Sequence, residues 1–439
     1  MPVQRSAFVV EELLGLLPAL DELEVLRLRL IGAAAPDPRR MWDSSTAYTT
    51  VDKRVLSPTD VEQSLAEADE ALRQYVATLH DRLRPLFRSF FEGDLDTVAR
   101  HLVGLGEHHE ALGRARSARK CYDAAMRVAL PLVEKGAQVL ALRRIGRVAL
   151  SLGDFQEAAL HYERSAELAR DSGDLHGEVV ARTGEGNVLL WQGNWREAEN
   201  YYRDALARAE SAPAETLTTA RGHLYNNLGN VATRLRRLDE AEEWFKRALA
   251  VWSDHPSPGD LGVCLHNLGH LRLEQGRMAE AAATYERAIK LEVPPTLRVA
   301  IAVDLAQLLL REGHLTQAED WALVAENHAI AAASPYLLGR MYQGRGNIAR
   351  ARGHADGFTL YEKALEIARG KGYPFLEAET LADYAELRLQ TGGVEEAQAY
   401  LERARDIFKE SGAVQDCARA EASLARLASS QTSLAATRD

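Results

Sequence analysis

Cysteine is scarce in this chain: three residues in 439, Cys121, Cys264 and Cys417. They are widely spaced, so they supply no paired C-x-x-C, and they fit buried or partly buried thiols in a reducing compartment. Also missing are a phosphate-cradling Walker A loop, a G-x-S-x-G elbow and an H-E-x-x-H helix, which leaves no recognisable catalytic motif. No apolar run approaches the roughly 18 residues that a membrane span requires. The apolar segment Phe8–Leu20 carries Glu11 and Glu12 and has little positive charge ahead of it, which argues against a secretory signal. A basic excess is lacking as well. The formal net charge is −11, whereas a nucleic-acid binder wants a positive face. These absences lead to the expectation of a cytoplasmic protein with no cofactor, no metal, no membrane contact and no direct nucleic-acid partner.

What the chain does contain is a repeat. His223 to Leu249 reads as two short amphipathic helices joined by a tight turn. Leu224, Leu228, Val231 and Leu235 lie on one apolar stripe, and Ala241, Phe245 and Ala248 on the other. Neither stripe can be buried alone, so each pair needs a neighbouring pair. Similar segments begin at Leu105, Ile145, Glu185, Leu268, Leu305, Arg345 and Tyr384. Their turns are marked by Gly113, Gly153, Gly193, Arg236, Gly276, Gly313, Gly353 and Gly392, with successive spacings of 40, 40, 43, 40, 37, 40 and 39. A regular period in the range of about 20–50 residues with both halves helical predicts an all-α solenoid. Glycine at the turn supplies the left-handed backbone that ends the first helix; Arg236 in that conformation should cost about 1 kcal/mol.

The pattern of L-G, a second glycine seven positions on, then A-x-x-x-[YF]-x-x-A resembles the tetratricopeptide (TPR) repeat. It stands here as Gly106/Gly113/Ala118/Tyr122/Ala125, Gly186/Gly193/Ala198/Tyr202/Ala205 and Gly269/Gly276/Ala281/Tyr285/Ala288. The resemblance implies a right-handed α-solenoid of about eight helix-turn-helix units. Departures are Ala306 and Ala385 in place of the first glycine, and Ala322 and Leu401 in place of the aromatic. A unit near 40 residues exceeds the usual length of about 34. In this it is similar to the arrays of kinesin light chains, LGN-type spindle adaptors and bacterial peptide-sensing and transcriptional regulators.

The expected organisation has four parts. Residues 1–97 form an N-terminal helical segment interrupted by a long loop at 33–57. Residues 98–410 form the solenoid, 411–428 a capping helix, and 429–439 a disordered tail. Ser57-Pro58-Thr59-Asp60 starts a long helix reaching about Phe91. That helix is read as a cap, or as a surface for self-association into a homo-oligomer.

Candidate chemistry is confined to polar residues on the first helix of each pair. Glu107-His108-His109-Glu110 offers no chelate, because neighbours on a helix point about 100° apart; these residues read as surface polarity. Taking the first motif glycine, or its substitute, as a ruler, positions two before and one after it project inward. They give Asn227, Asn230, Asn267 and His270, with Asn187 and Asn347 from the one-after position and Arg143 and Arg147 on the same face near Gly146. Asparagine matches the free N–H and C=O groups of an extended peptide, and arginine can hold a carboxylate. The set resembles the asparagine ladder by which long-repeat TPR adaptors grip peptides. It fits the Lys/Asn clamp of chaperone-binding TPRs poorly. The alternative is that these asparagines only solvate the face or bond among themselves. The functional expectation is a non-enzymatic adaptor binding a peptide segment of a partner protein. A regulatory or sensor subunit controlling an effector is the alternative, and an enzyme built on residues 1–97 is a third reading.

Overall fold

A computed structural model describes residues 94–436 apart from 112–113, 214, 255–256 and 330–333, together with 48–49, 55–56 and 89. The helices expected within 1–91, the Gly113 turn and Trp42 lie outside the described residues. Inside the stretch read as a loop, Tyr48–Thr49 (β1) pairs antiparallel with Val55–Leu56 (β2), Tyr48 opposite Leu56.

The chain divides into two units, residues 1–145 and 146–439. In the first, α1 (Leu95–Ala111) packs on α2 (Ala115–Ala129), and Tyr122 closes over Gly106. His109 on α1 is 0% exposed, so the surface assignment of the His-His pair is corrected for that residue. The helix is amphipathic about a stripe through Leu102, Leu105 and His109, which turns the second histidine inward.

Helix α3 (Gly136–Ser151) runs across the boundary, followed by α4 (Phe155–Ser172). Six further pairs continue at the expected spacing: α5 (Leu175–Trp191) with α6 (Trp195–Glu210), α7 (Thr218–Arg234) with α8 (Leu238–Asp254), and α9 (Pro258–Glu274) with α10 (Met278–Ile289). Then come α11 (Pro295–Arg311) with α12 (Leu315–Ala329), α13 (Pro335–Arg352) with α14 (Gly357–Lys371), and α15 (Pro374–Gln390) with α16 (Val394–Glu410). The last helix, α17 (Val414–Ala436), packs on α16. It continues through residues 429–436, which corrects the expected disordered tail: no glycine or proline stops it, and Ala, Leu and Gln sustain it.

Local chemistry accounts for the element ends. Pro258, Pro295, Pro335 and Pro374 open their helices, where a missing N–H costs nothing. Ser257, Ser334 and Asp174 accept hydrogen bonds from the first turn. At the turns inside the pairs, Arg236 is the one non-glycine residue among those described with positive φ, at 62°. Packing explains the motif glycines. A Cβ on Gly229 would come within 2.8 Å of Phe245, and one on Gly269 within 2.4 Å of Tyr285. Where alanine replaces the glycine, the partner shrinks to match. Ala306 is buried with Ala318 and Ala322, and Ala385 with Ala397 and Leu401.

Within the second unit, successive first helices (α5, α7, α9, α11, α13, α15) touch one another, while each second helix packs on the first helices flanking it. The first helices therefore line the inner face. The array also meets itself far along the chain. Phe155 packs edge-on against Tyr373 at 5.4 Å, Trp195 against Phe375 at 5.0 Å, and Trp191 against Tyr336 at 4.4 Å. Lys371 Nζ lies 3.2 Å from Asp154 Oδ1 across the same seam.

Candidate functional site

Polar side chains on the inner face of the second unit form two connected groups. In the first, Asn227 Nδ2 donates to Asn187 Oδ1 at 3.1 Å, and Tyr202 Oη donates to the same oxygen at 2.7 Å. Asn226 Nδ2 reaches Asn227 Oδ1 at 3.4 Å, and Asn267 Nδ2 donates to Asn226 Oδ1 at 3.1 Å. Side chains on α5, α7 and α9 are thereby linked into one ladder. Of the expected residues, Asn227 bonds directly to Asn187, whereas Asn267 joins them only through Asn226. Asn347 stands apart on α13. Its Oδ1 accepts from Tyr361 Oη at 2.6 Å, and its Nδ2 donates to Asp383 at 2.9 Å, beside Gln343.

Asn230 behaves differently from its neighbours. It has no hydrogen bond to a described residue, and it lines a cavity of about 80 Å³ with Trp191, Trp195, Arg234, Tyr336 and Phe375. That is room for several waters or the tip of a side chain. One turn after Asn230, the Arg234 guanidinium stacks 4.8 Å from the Phe375 ring centre and 5.9 Å from that of Trp195. The cavity thus combines aromatic walls, one cation and one uncommitted amide. Arg143 belongs to the first unit and Arg147, exposed, to the second.

The second group is charged. Asp304, on α11 and 4% exposed, accepts from Arg340 Nη2 on α13 at 2.8 Å through Oδ1. His266 Nε2 and His270 Nε2, both on α9, lie 2.6 and 2.8 Å from its Oδ2. Burial by itself would raise the Asp304 carboxyl. The positive charges and hydrogen bonds around it outweigh that and hold it well below the usual carboxylate range. His270 is shifted down, by burial first, against the opposing pull of Asp304. On α5, Glu185 lacks such a set of donors. Burial pushes its carboxyl up to about 7, with Glu163 adding to the rise and Arg182 opposing it.

The same ruler, read for charge as well as for asparagine and one residue further back, finds the side chains that were missed. Asp304 and Asp383 stand two before Ala306 and Ala385, the alanines that replace the motif glycine. His266, Asn226 and Gln343 stand three before theirs. Arg234 and Arg340, five after Gly229 and six before Gly346, fall outside any short ruler.

A solenoid of helix-turn-helix pairs with small-on-aromatic packing, and a polar inner face drawn from the first helix of each pair, defines a tetratricopeptide-repeat protein. Residues 129–331, under half of the chain, match the family model of the MalT-like TPR region. The chain is similar to the Photosystem I assembly protein Ycf3 of Prochlorococcus marinus (strain NATL1A), 29% identical over 124 residues, 28% of this chain and 69% of that protein. It is also similar to the human Protein O-mannosyl-transferase TMTC2, 31% identical over 109 residues, 24% of this chain and 11% of that protein. Among solved structures, a Rap protein complexed with Competence and Sporulation Factor aligns over 76% of this chain and 99% of that one, with 11% identity and a TM-score of 0.49. Among the described residues, no helix is long and apolar enough to cross a membrane.

Proposed function

We propose that the protein is a non-enzymatic adaptor whose inner face binds an extended peptide segment of a partner protein. The observation that carries this reading is Asn230. It is a half-buried amide with no partner among the described residues, set in an aromatic-walled cavity beside Arg234. The asparagine ladder next to it keeps donor capacity, since the Asn187 amide nitrogen has no partner among the described residues. An incoming backbone would meet amides on one side, and a side chain of the peptide could enter the cavity. His270 and Asn347 extend the same face, and Arg147 supplies a cation for an acidic or C-terminal group. A cytoplasmic location belongs to the same proposal.

The test is peptide selection by display on the folded protein, run in parallel on Asn230→Ala. Sequences enriched on the wild type and lost on a variant that melts normally would support the groove. Equal enrichment on both would refute it. A second reading, a sensor subunit that controls an effector, draws on the seam between α4–α6 and α13–α15. A ligand in the cavity touches both sides of that seam, through Trp191 and Trp195 on one and Tyr336 and Phe375 on the other. Hydrogen exchange of Phe155–Trp195 and Tyr336–Phe375, with and without a selected peptide, separates the two. A change confined to the cavity favours the adaptor.

A further inference from the structure

We propose that His266, His270 and Asp304 bind a single divalent transition-metal ion, with Zn2+ as the leading candidate. The two histidines are four residues apart on α9, so both imidazoles leave the same helix face. Both Nε2 atoms converge on Asp304 Oδ2, at 2.6 and 2.8 Å, and the three ligand atoms all lie within 4.8 Å of one another. Imidazole nitrogens and a carboxylate oxygen bind zinc at about 2.0–2.2 Å, which places tetrahedral ligands roughly 3.4 Å apart. Each histidine nitrogen, now 2.6 or 2.8 Å from Asp304 Oδ2, therefore has to draw back by about 0.6–0.8 Å to admit the ion.

The surroundings suit ligation. Arg340 holds Asp304 Oδ1 at 2.8 Å, which fixes the carboxylate with its other oxygen toward the histidines. That pair is already neutral, and the histidine side chains are 14% and 30% exposed, so an ion would keep water, or an anionic group of a ligand, in its remaining positions. Each imidazole can shift its proton from Nε2 to Nδ1 as Nε2 binds the ion.

Register supplies an independent observation. In two other units the residue after the motif glycine is an asparagine that accepts from the repeat tyrosine: Asn187 from Tyr202 at 2.7 Å, and Asn347 from Tyr361 at 2.6 Å. Here that residue is His270. It turns to Asp304, and the hydroxyl of Tyr285, 0% exposed, is left without a hydrogen-bond partner among the described residues. The Tyr285 ring centre lies 5.8 and 5.9 Å from those of His266 and His270. This unit lacks the internal pair that those two keep, and has gathered two metal-ligating side chains at that place.

The experiment uses the full chain without an affinity tag and the metal alone. Titration with Co2+ should produce the visible ligand-field absorption of a low-coordinate ion, saturating at one equivalent per chain and abolished by Zn2+. His266→Gln and His270→Asn should each weaken binding by at least about 100-fold, beyond the 10- to 100-fold expected for an outer partner. His270→Asn installs the residue that stands at this position as Asn187, Asn230 and Asn347 in three other repeats, so it should melt like the wild type without metal. Zn2+ should then raise the melting temperature of the wild type alone. Absence of the absorption at one equivalent would overturn the proposal. So would equal Co2+ binding by wild type and variants, which would place the ion on other histidines. Because no peptide is involved, failure here leaves the peptide reading standing, and failure of that reading leaves this site standing.

Discussion

Along α5, α7 and α9 the inner face is built of neutral amides, with Asn187, Asn227, Asn226 and Asn267 bonded side chain to side chain. One repeat further on, between α9, α11 and α13, the same face carries Asp304 against Arg340, His266 and His270. The helices, the pairing and the motif positions are alike, and only the charge differs. An amide ladder can lose a member and leave neighbours that turn to water, at the cost of one ordinary hydrogen bond. A buried ion cannot be left without its counterion. Uniform repeat geometry therefore does not imply uniform energetics. The neutral stretch is free to exchange partners with a ligand, and the charged stretch is rigidly committed unless another cation takes over.

The largest expected effect is that of Asp304→Ala, which strands Arg340, whose side chain is 11% exposed. It should cost about 3–5 kcal/mol, the usual consequence of breaking a buried pair. Replacing both by Asp304→Leu and Arg340→Met should recover part of that loss. Urea unfolding of the single and double variants measures it, and a loss below about 1 kcal/mol for the single change would erase the contrast between the two stretches.

Next comes a split inside the neutral stretch. Asn227→Ala removes ladder bonds and should cost about 1 kcal/mol. Asn230→Ala removes none and should stay within about 0.5 kcal/mol, while weakening any selected peptide. If Asn230→Ala melted early and Asn227→Ala did not, the roles given to the two residues would be reversed.

The third prediction concerns pH. Glu185 has its folded carboxyl pushed up to about 7 by burial, above the unfolded value, so the folded state holds this proton more tightly. Its contribution to stability is fullest at acid pH and is lost as pH rises from about 4.5 through about 7. Glu185→Gln should accordingly melt higher than the wild type at pH 8, with the gap closing toward pH 5. A gap independent of pH would mean the carboxyl titrates normally.

The smallest effect belongs to the turn at the end of α7. Arg236→Gly relieves a left-handed arginine, worth about 1 kcal/mol, and loses an exposed ion pair to Glu274, worth up to about 1 kcal/mol. A net gain of about 0.5 kcal/mol or less is expected in thermal melts, and a net loss would show the ion pair to dominate.

Much of the solenoid was legible because its signals are local. Gly276 and Arg236 announce their turns through backbone preference, and Gly269 with Tyr285 announces its helix contact through matched sizes. The inner-face asparagines were legible for the same reason: Asn227 and Asn267 stand at a fixed offset from a glycine. Asp304 and Asp383 stand at the same offset from Ala306 and Ala385 and were passed over because the face was read for asparagines. His109 was misplaced because two adjacent histidines among glutamates look like surface, whereas the apolar stripe of α1 takes one of them inside.

The sequence by itself determined that this is a helical repeat array, where its turns fall and which face of each first helix is polar, since period, turn chemistry and side-chain size act within a few dozen residues. Only the tertiary structure decided that Phe155 meets Tyr373, that Asn230 faces an aromatic cavity while Asn227 is bonded away, and that two histidines share one carboxylate oxygen with an arginine behind it. Those relations depend on how each pair is rotated against the next. Small rotations summed over several repeats set which distant side chains meet, and no single repeat encodes that sum.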